Sequence, residues 1–227
     1  MNEFAAIVAK IMTTIYLVRH GEVAGNSGEI RTFAGARDLE LTPRGLEQAK
    51  AVAQHFENEK IDAIYASKLQ RAWRTADGIA AHHDLSVTRD GGWNEVNYGE
   101  WEGLSEAQIL ENHGELWKKR VDDPWNVAPP GGESYQMLWA RLEPVWNALL
   151  SSHAGQSVVV VGHNGSLRVL LCQLLGAPPT NARRLQIGNC SVTKVSIGNV
   201  PTIPAGKLEG PPVVIEYINQ TAHLKGI

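Results

Sequence analysis

The stretch TIYLVRHGE, residues 14–22, runs from a buried strand straight into a charged turn. Thr14–Val18 is a compact apolar run with β-branched and aromatic residues, which reads as a strand. A second such run, SVVVV at residues 157–161, leads into His163-Asn164-Gly165. Around these two the chain alternates strand and helix. Ile61–Ala66 is a further strand, and Ser191–Ile197 and Val213–Ile218 are late strands joined by a Pro/Gly-rich loop. Thr42 and Pro43 read as N-cap and first residue of a helix bearing Leu46, Ala49, Ala53 and Phe56 at helical spacing. Ala72, Ala76, Ile79 and Ala80 mark the next helix.

Ser105 with Gln108 forms a capping box, with Leu104 and Ile109 as its hydrophobic staple, and opens a helix toward Val121. Leu138, Leu142, Val145 and Leu149 mark another, which Pro144 is expected to kink or interrupt. Leu167, Leu170, Leu171 and Leu174 form a last helix, closed by Gly176 and Pro178. This alternation predicts an α/β fold, a three-layer αβα sandwich with a mostly parallel central sheet. Ligands of such sheets bind beyond the carboxyl ends of the strands.

The totals narrow the function. A chain of 227 residues, 43% hydrophobic, suits one domain with a full core. Residues 1–12 read as an N-terminal extension or misplaced start, and 13–227 as the single domain. A net charge of -3, without long runs of one sign, argues against nucleic acid as a partner. No apolar stretch reaches the ~20 residues of a membrane span. Cys172 and Cys190 sit in apolar or strand-like surroundings, which suits reduced cysteines in the cytoplasm.

Chemistry gathers where the strands end. Arg19-His20-Gly21-Glu22 follows the first strand, Arg71 opens the helix after the second, and His163-Asn164-Gly165 follows SVVVV. Singly, these are an ordinary turn, an exposed helix residue and a core histidine. Together, two arginines and two histidines at one sheet end describe a pocket for a dianionic phosphate, aided by helix N-termini.

At this point the chain resembles the histidine phosphatase superfamily, which includes the cofactor-dependent phosphoglycerate mutases. LVRHGE (17–22) is similar to its signature. Asn26, Gly35, Asp38 and LTPRGLEQA (41–49) fit the pattern that follows. Ser67, Leu69, Arg71, Ala72, Thr75 and Ala76 fit a second motif. Glu95, Tyr98-Gly99, Glu102-Gly103 and Gly132-Glu133-Ser134 continue the order, so the resemblance covers most of the chain from residue 14.

The resemblance implies a phosphoglycerate mutase-like fold and a division of labour. His20 is the nucleophile that becomes phosphohistidine. Arg19, Arg71 and His163 hold the phosphoryl oxygens, with Asn26 as a neutral donor and Asn164 beside them. Glu95 protonates the leaving oxygen and then activates water, with Glu102 as its rival. Such a Glu95 must start protonated, and Trp93, Trp101 and Tyr98 are expected to desolvate it. His20 must be neutral, its second ring nitrogen held by an acceptor.

Two positions depart from the pattern. Val23 stands where Thr or Ser commonly follows the signature, and Asn164 where Gly often follows the second histidine. The mutases carry Arg directly after the acid/base Glu, whereas here it is Val96. That favours hydrolysis of a small phosphomonoester. A mutase with Lys118, Lys119 and Arg120 supplying charge is the alternative, and a non-catalytic phospho-ligand module a distant one. No metal and no cofactor are expected, and a homodimer stays open. Glu133 and Arg141 read as structural, and His82-His83 as a helix-end surface pair. Residues 23–37, the 104–130 segment and Arg183-Arg184 are expected to shape the far side of the pocket.

Overall fold

The computed structural model describes residues 12–26, 30–198 and 213–227. Residues 1–11 of the expected extension, and most of the Pro/Gly-rich loop between the late strands, lie outside these. Six strands form one sheet: β1 (Thr13–Arg19), β2 (Ala63–Ala66), β3 (Val87–Arg89), β4 (Ser157–Gly162), β5 (Val192–Ile197) and β6 (Val213–Gln220), in the order β3-β2-β4-β1-β5-β6. The β3-β2-β4-β1 part is parallel, and β5 and β6 extend it antiparallel. β3, only three residues long, gave no sequence signal.

The β1 and β4 runs split by parity. Ile15, Leu17, Val158 and Val160 face one side, against Leu142, Trp146 and Leu149 of α4 (Tyr135–Ser152) and Leu167, Leu170 and Leu171 of α5 (Asn164–Leu174). Tyr16, Val18, Val159 and Val161 face the other, against Val52 and Phe56 of α1 (Pro43–Phe56) and Ala72, Ala76 and Ile79 of α2 (Gln70–Ala80). A strand shows alternate residues to opposite faces, so an unbroken apolar run needs helices on both. The three-layer sandwich follows. The remaining helix, α3 (Glu106–Asp122), packs in a satellite core of Trp101, Ile109 and Trp117 with Phe33 and Tyr98.

Local signals map onto these elements. Thr42 caps α1 by accepting from Gly45 N at 3.0 Å, and Ser105 and Gln108 make the expected reciprocal cap of α3. Three details differ. Leu46 is 53% exposed, because the buried stripe of α1 is Gly45, Gln48, Ala49, Val52, Ala53 and Phe56. Gly45 faces inward because the nucleophile turn crosses it; a Cβ there would lie 2.1 Å from Glu22 O. α4 runs uninterrupted through Pro144. Pro144 and Ala140, whose carbonyl loses its helical partner, are both exposed, so water can replace the missing N–H. In α3, His113 leaves helical geometry (φ -137°, ψ 28°).

Candidate active site

The register of the sheet assembles the site. β1 and β4 pair in parallel with Arg19 opposite Gly162, so the next residues, His20 and His163, leave the sheet side by side. Their ring centroids are 5.0 Å apart. Backbone bonds fix this exit: His20 N donates to Gly162 O and Cys190 N to Arg19 O. Gly21 N donates to Thr75 Oγ1, and Thr75 Oγ1 to Arg71 O, tying the turn to α2.

His20 is 3% exposed and His163 is wholly buried. His20 Nδ1 lies 2.6 Å from Gly21 O. A carbonyl can only accept, so Nδ1 carries the hydrogen and Nε2 keeps its lone pair. Burial first, then the Arg71 and Arg19 charges, push the His20 ring well below the usual imidazole range, so it stays neutral. His163 is lowered likewise by burial, Arg71 and His20.

Arg71 Nε donates toward both rings, at 3.3 Å to His20 Nε2 and 3.2 Å to His163 Nδ1. That makes His163 Nε2 an N–H donor, and it has no partner. The Arg71 NH2 group donates to Gly35 O at 2.7 Å. Arg19 donates through NH1 to Ile187 O at 2.8 Å, while its buried Nε is unpartnered. Burial pushes Arg19 down to about 10, so its charge persists at neutral pH. Asn26 Oδ1 accepts from Val23 N, leaving buried Nδ2 without a partner. Buried donors without acceptors are costly, and three here are open to an anion: Arg19 Nε, Asn26 Nδ2 and His163 Nε2.

Glu95 is 8% exposed and its side chain meets the first turn of α5. Its Oε2 accepts from Gly165 N at 3.0 Å, and Oε1 from Ser166 N at 3.0 Å and Val96 N at 2.9 Å. The anion at this helix N-terminus is therefore Glu95 itself. Asp38 takes the equivalent place on α2, accepting from Gln70 N at 2.6 Å. Gly165 N and Ser166 N of α5 and Gln70 N of α2 are thus already bonded to carboxylates. The surroundings of Glu95 are N–H donors as well as apolar walls. Gly165 is required here: a Cβ on it would lie 2.6 Å from Glu95 Oε1.

Arg141 places Glu95. It donates to Gly91 O, Gly92 O, Asn94 O and, at 2.7 Å, Glu95 O, and pairs with Glu133 at 2.9 Å. Glu133 in turn accepts from Asn97 N. The rival Glu102 is occupied elsewhere, accepting from Ala36 N and Tyr98 N.

These groups open into a cavity of about 320 Å³. Arg19, His20, Asn26, Arg71, Glu95 and Asn164 line its inner end, and His163 joins them through Arg71 and His20. Phe33, Tyr98, Trp117 and Tyr135 form its walls, with Arg120, Arg168 and Arg183 further out. Lys118 and Lys119 are exposed on α3 and do not line it, nor does Arg184. Tyr135 and Arg168 escaped the sequence reading, although Arg168 lies one turn beyond Asn164 on α5, on the same face. Among the described residues, no cluster of three or more His, Cys, Asp or Glu is arranged to hold a metal. No helix among them is long and apolar enough to cross a membrane.

The family model "Histidine phosphatase superfamily (branch 1)" matches residues 15–201. Phosphoserine phosphatase 1 of Hydrogenobacter thermophilus is 34% identical over 165 residues, 73% of this chain and 77% of that protein. A probable phosphoglycerate mutase of Yersinia pestis is 35% identical over 214 residues, 94% of this chain and 95% of that one. The native structure of a mycobacterial glucosyl-3-phosphoglycerate phosphatase superposes with a TM-score of 0.80 at 29% identity, covering 92% of this chain and 100% of that one.

Proposed function

The chain belongs to the histidine phosphatase superfamily, and from that premise we propose that it hydrolyses a small phosphomonoester through a phosphohistidine on His20. The carrying observation is the His20 tautomer. Nδ1–H is held by Gly21 O, so the Nε2 lone pair faces the unspent donors of the cavity. The phosphoryl oxygens take the hydrogens of Arg71, Arg19, His163 Nε2 and Asn26 Nδ2, which frees His20 Nε2 to attack phosphorus. The P–O bond to the leaving group breaks as the N–P bond forms. Positioned donors of this kind supply most of the catalysis in phosphoryl transfer.

Glu95 carries the proton. Its carboxyl group lines the cavity, held in place by backbone N–H groups. It gives that proton to the leaving oxygen, then accepts one from the water that cleaves the N–P bond. Inorganic phosphate leaves and His20 is restored, with no cofactor consumed. Free, buried Cys172 and Cys190 support a cytoplasmic setting.

Val96 is fully buried in a core with Leu138 and Val169, and Lys118 and Lys119 point to solvent. Of the residues the mutase reading drew on, the position after Glu95 and the lysine pair offer no charge to a second substrate group, whereas Arg120 lines the cavity. Likeness to a probable phosphoglycerate mutase keeps that reading testable. Rapid quenching with a phosphate ester should trap acid-labile phosphate on the wild type and none on His20→Ala, which should also lose turnover. Release of inorganic phosphate from 3-phosphoglycerate should outrun its conversion to 2-phosphoglycerate, with or without bisphosphoglycerate. Normal turnover by His20→Ala refutes the nucleophile, and dominant isomerisation makes the protein a mutase.

A further inference from the structure

Resting on that reading, we propose that the C-terminal segment belongs to the catalytic scaffold: Asn219 and His223 are positioning residues that set Arg19 and His20 through the turn at 187–191. Both lie beyond residues 15–201, the span of the family match.

That turn, which leads into β5, grips the end of β1 along its whole length. Ile187 O accepts from Arg19 NH1 at 2.8 Å, and Asn189 Nδ2 donates to His20 O at 3.0 Å. Cys190 N donates to Arg19 O at 3.0 Å and to His20 O at 3.3 Å, and Ser191 O accepts from Arg19 N at 3.3 Å. The guanidinium that meets the phosphoryl group and the ring that attacks it therefore hang on one turn.

The turn holds an uncommon shape. Cys190 is wholly buried at φ 50°, a left-handed conformation that a residue with a Cβ keeps only where its surroundings impose it. The C-terminal segment supplies that constraint. His223 Nε2 lies 2.8 Å from Cys190 O. A carbonyl only accepts, so Nε2 carries the hydrogen and donates. Asn219 Oδ1 accepts from Gly188 N at 2.6 Å. Asn219 is itself left-handed, at φ 58°, which asparagine tolerates better than most residues, and its N donates to Thr193 Oγ1 at 3.2 Å. His223 is anchored in turn: its ring stacks on His55 of α1 with centroids 4.8 Å apart, and Leu224 packs on the core beneath α1 and α2. Cys190 thus holds Arg19 and His20 with its N–H while His223 holds its carbonyl.

Placement at this point is a matter of rate. Arg19 Nε is one of the donors open to the phosphoryl group, and His20 Nε2 is the attacking atom. A misplacement of about 1 Å costs on the order of a hundredfold. A tail that only packed against the domain would add stability and leave the rate of the folded protein unchanged.

The test is rapid-quench phosphorylation of His20 in the full chain, with glycerol 3-phosphate and p-nitrophenyl phosphate, alongside urea unfolding. His223→Ala removes the donor to Cys190 O. Asn219→Gly keeps the left-handed backbone and removes the acceptor for Gly188 N. Each should slow phosphorylation by about tenfold to a hundredfold. The loss should be equal for the two esters, because proton transfer from Glu95 is untouched. His223→Gln, whose amide can donate to Cys190 O, should recover most of the rate. Leu224→Ala loosens the same segment without a bond to the turn, so it should lower stability and leave the rate of the folded protein as it was. The two sites are read independently, so if one variant does not fold the other decides.

Wild-type rates in folded His223→Ala and Asn219→Gly overturn the positioning role. So do a loss in Leu224→Ala as large as theirs, and a His223→Gln no faster than His223→Ala. A loss confined to glycerol 3-phosphate also overturns it, since the defect then lies in protonating the leaving group. Those results leave the phosphohistidine chemistry intact. Failure of both esters to phosphorylate His20 in the wild type would instead overturn the reading on which the proposal rests.

Discussion

Glu95→Gln perturbs two things at once, and the structure separates them. The carboxylate accepts three backbone N–H bonds, two at Oε1 and one at Oε2. A glutamine has one oxygen. Its best placement keeps Ser166 N and Val96 N on that oxygen and turns the amide NH2 against Gly165 N, donor against donor. Losing one bond to a charged acceptor costs about 1.5–3 kcal/mol. Removing an anion from the first turn of α5 costs roughly 0.3–1 kcal/mol more. Urea unfolding should therefore show a loss of about 2–4 kcal/mol. Catalysis responds differently. An alkyl phosphate needs the proton of Glu95, so its phosphorylation of His20 should slow by about 100- to 10,000-fold. p-Nitrophenyl phosphate leaves as a stabilised anion and should phosphorylate His20 with much less loss. Water attack then lacks its base, so a nitrophenol burst should precede slow release. Stopped-flow and rapid-quench measurements on glycerol 3-phosphate and p-nitrophenyl phosphate read both steps. Equal losses in phosphorylation for both esters would refute Glu95 as the acid. Unchanged stability would refute its role as the anion at the start of α5. Glu102→Gln is the control: it loosens the contacts with Ala36 N and Tyr98 N without the leaving-group dependence.

Two further outcomes follow from the same geometry. Arg141→Ala leaves Glu133 without its cation and four carbonyls of residues 91–95 without their donor. It should cost about 2–4 kcal/mol in stability and reproduce the alkyl-over-aryl defect of Glu95→Gln, with partial rescue by Arg141→Lys; a uniform loss on both esters would refute the positioning role. His20 and His163 have folded-state values pushed below 6.5, so the unfolded chain binds more protons once the pH falls below about 6.5, and stability should drop there by up to about 1.4 kcal/mol per pH unit for each. Unfolding free energies between about pH 7 and 5.5 should fall less steeply in His163→Asn than in wild type, and equal slopes would refute the assignment of that loss to this ring.

The sequence by itself determined the sandwich and the neighbourhood of the site. Unbroken apolar runs at 14–18 and 157–161 need cover on both faces, and each is followed two residues later by a histidine, so parallel pairing places His20 beside His163. Short-range rules also sufficed for the Thr42 and Ser105 caps, because the partners lie three residues apart. Long-range placement was beyond them. Tertiary structure alone decided that Glu95 meets the start of α5, that Arg141 reaches back some fifty residues to hold it, and that Arg120 turns inward while Lys118 and Lys119 face water. Side-chain type fixes what a residue can bond to. Which partners stand within three ångströms depends on how separate segments pack, and no local spacing in the chain records that.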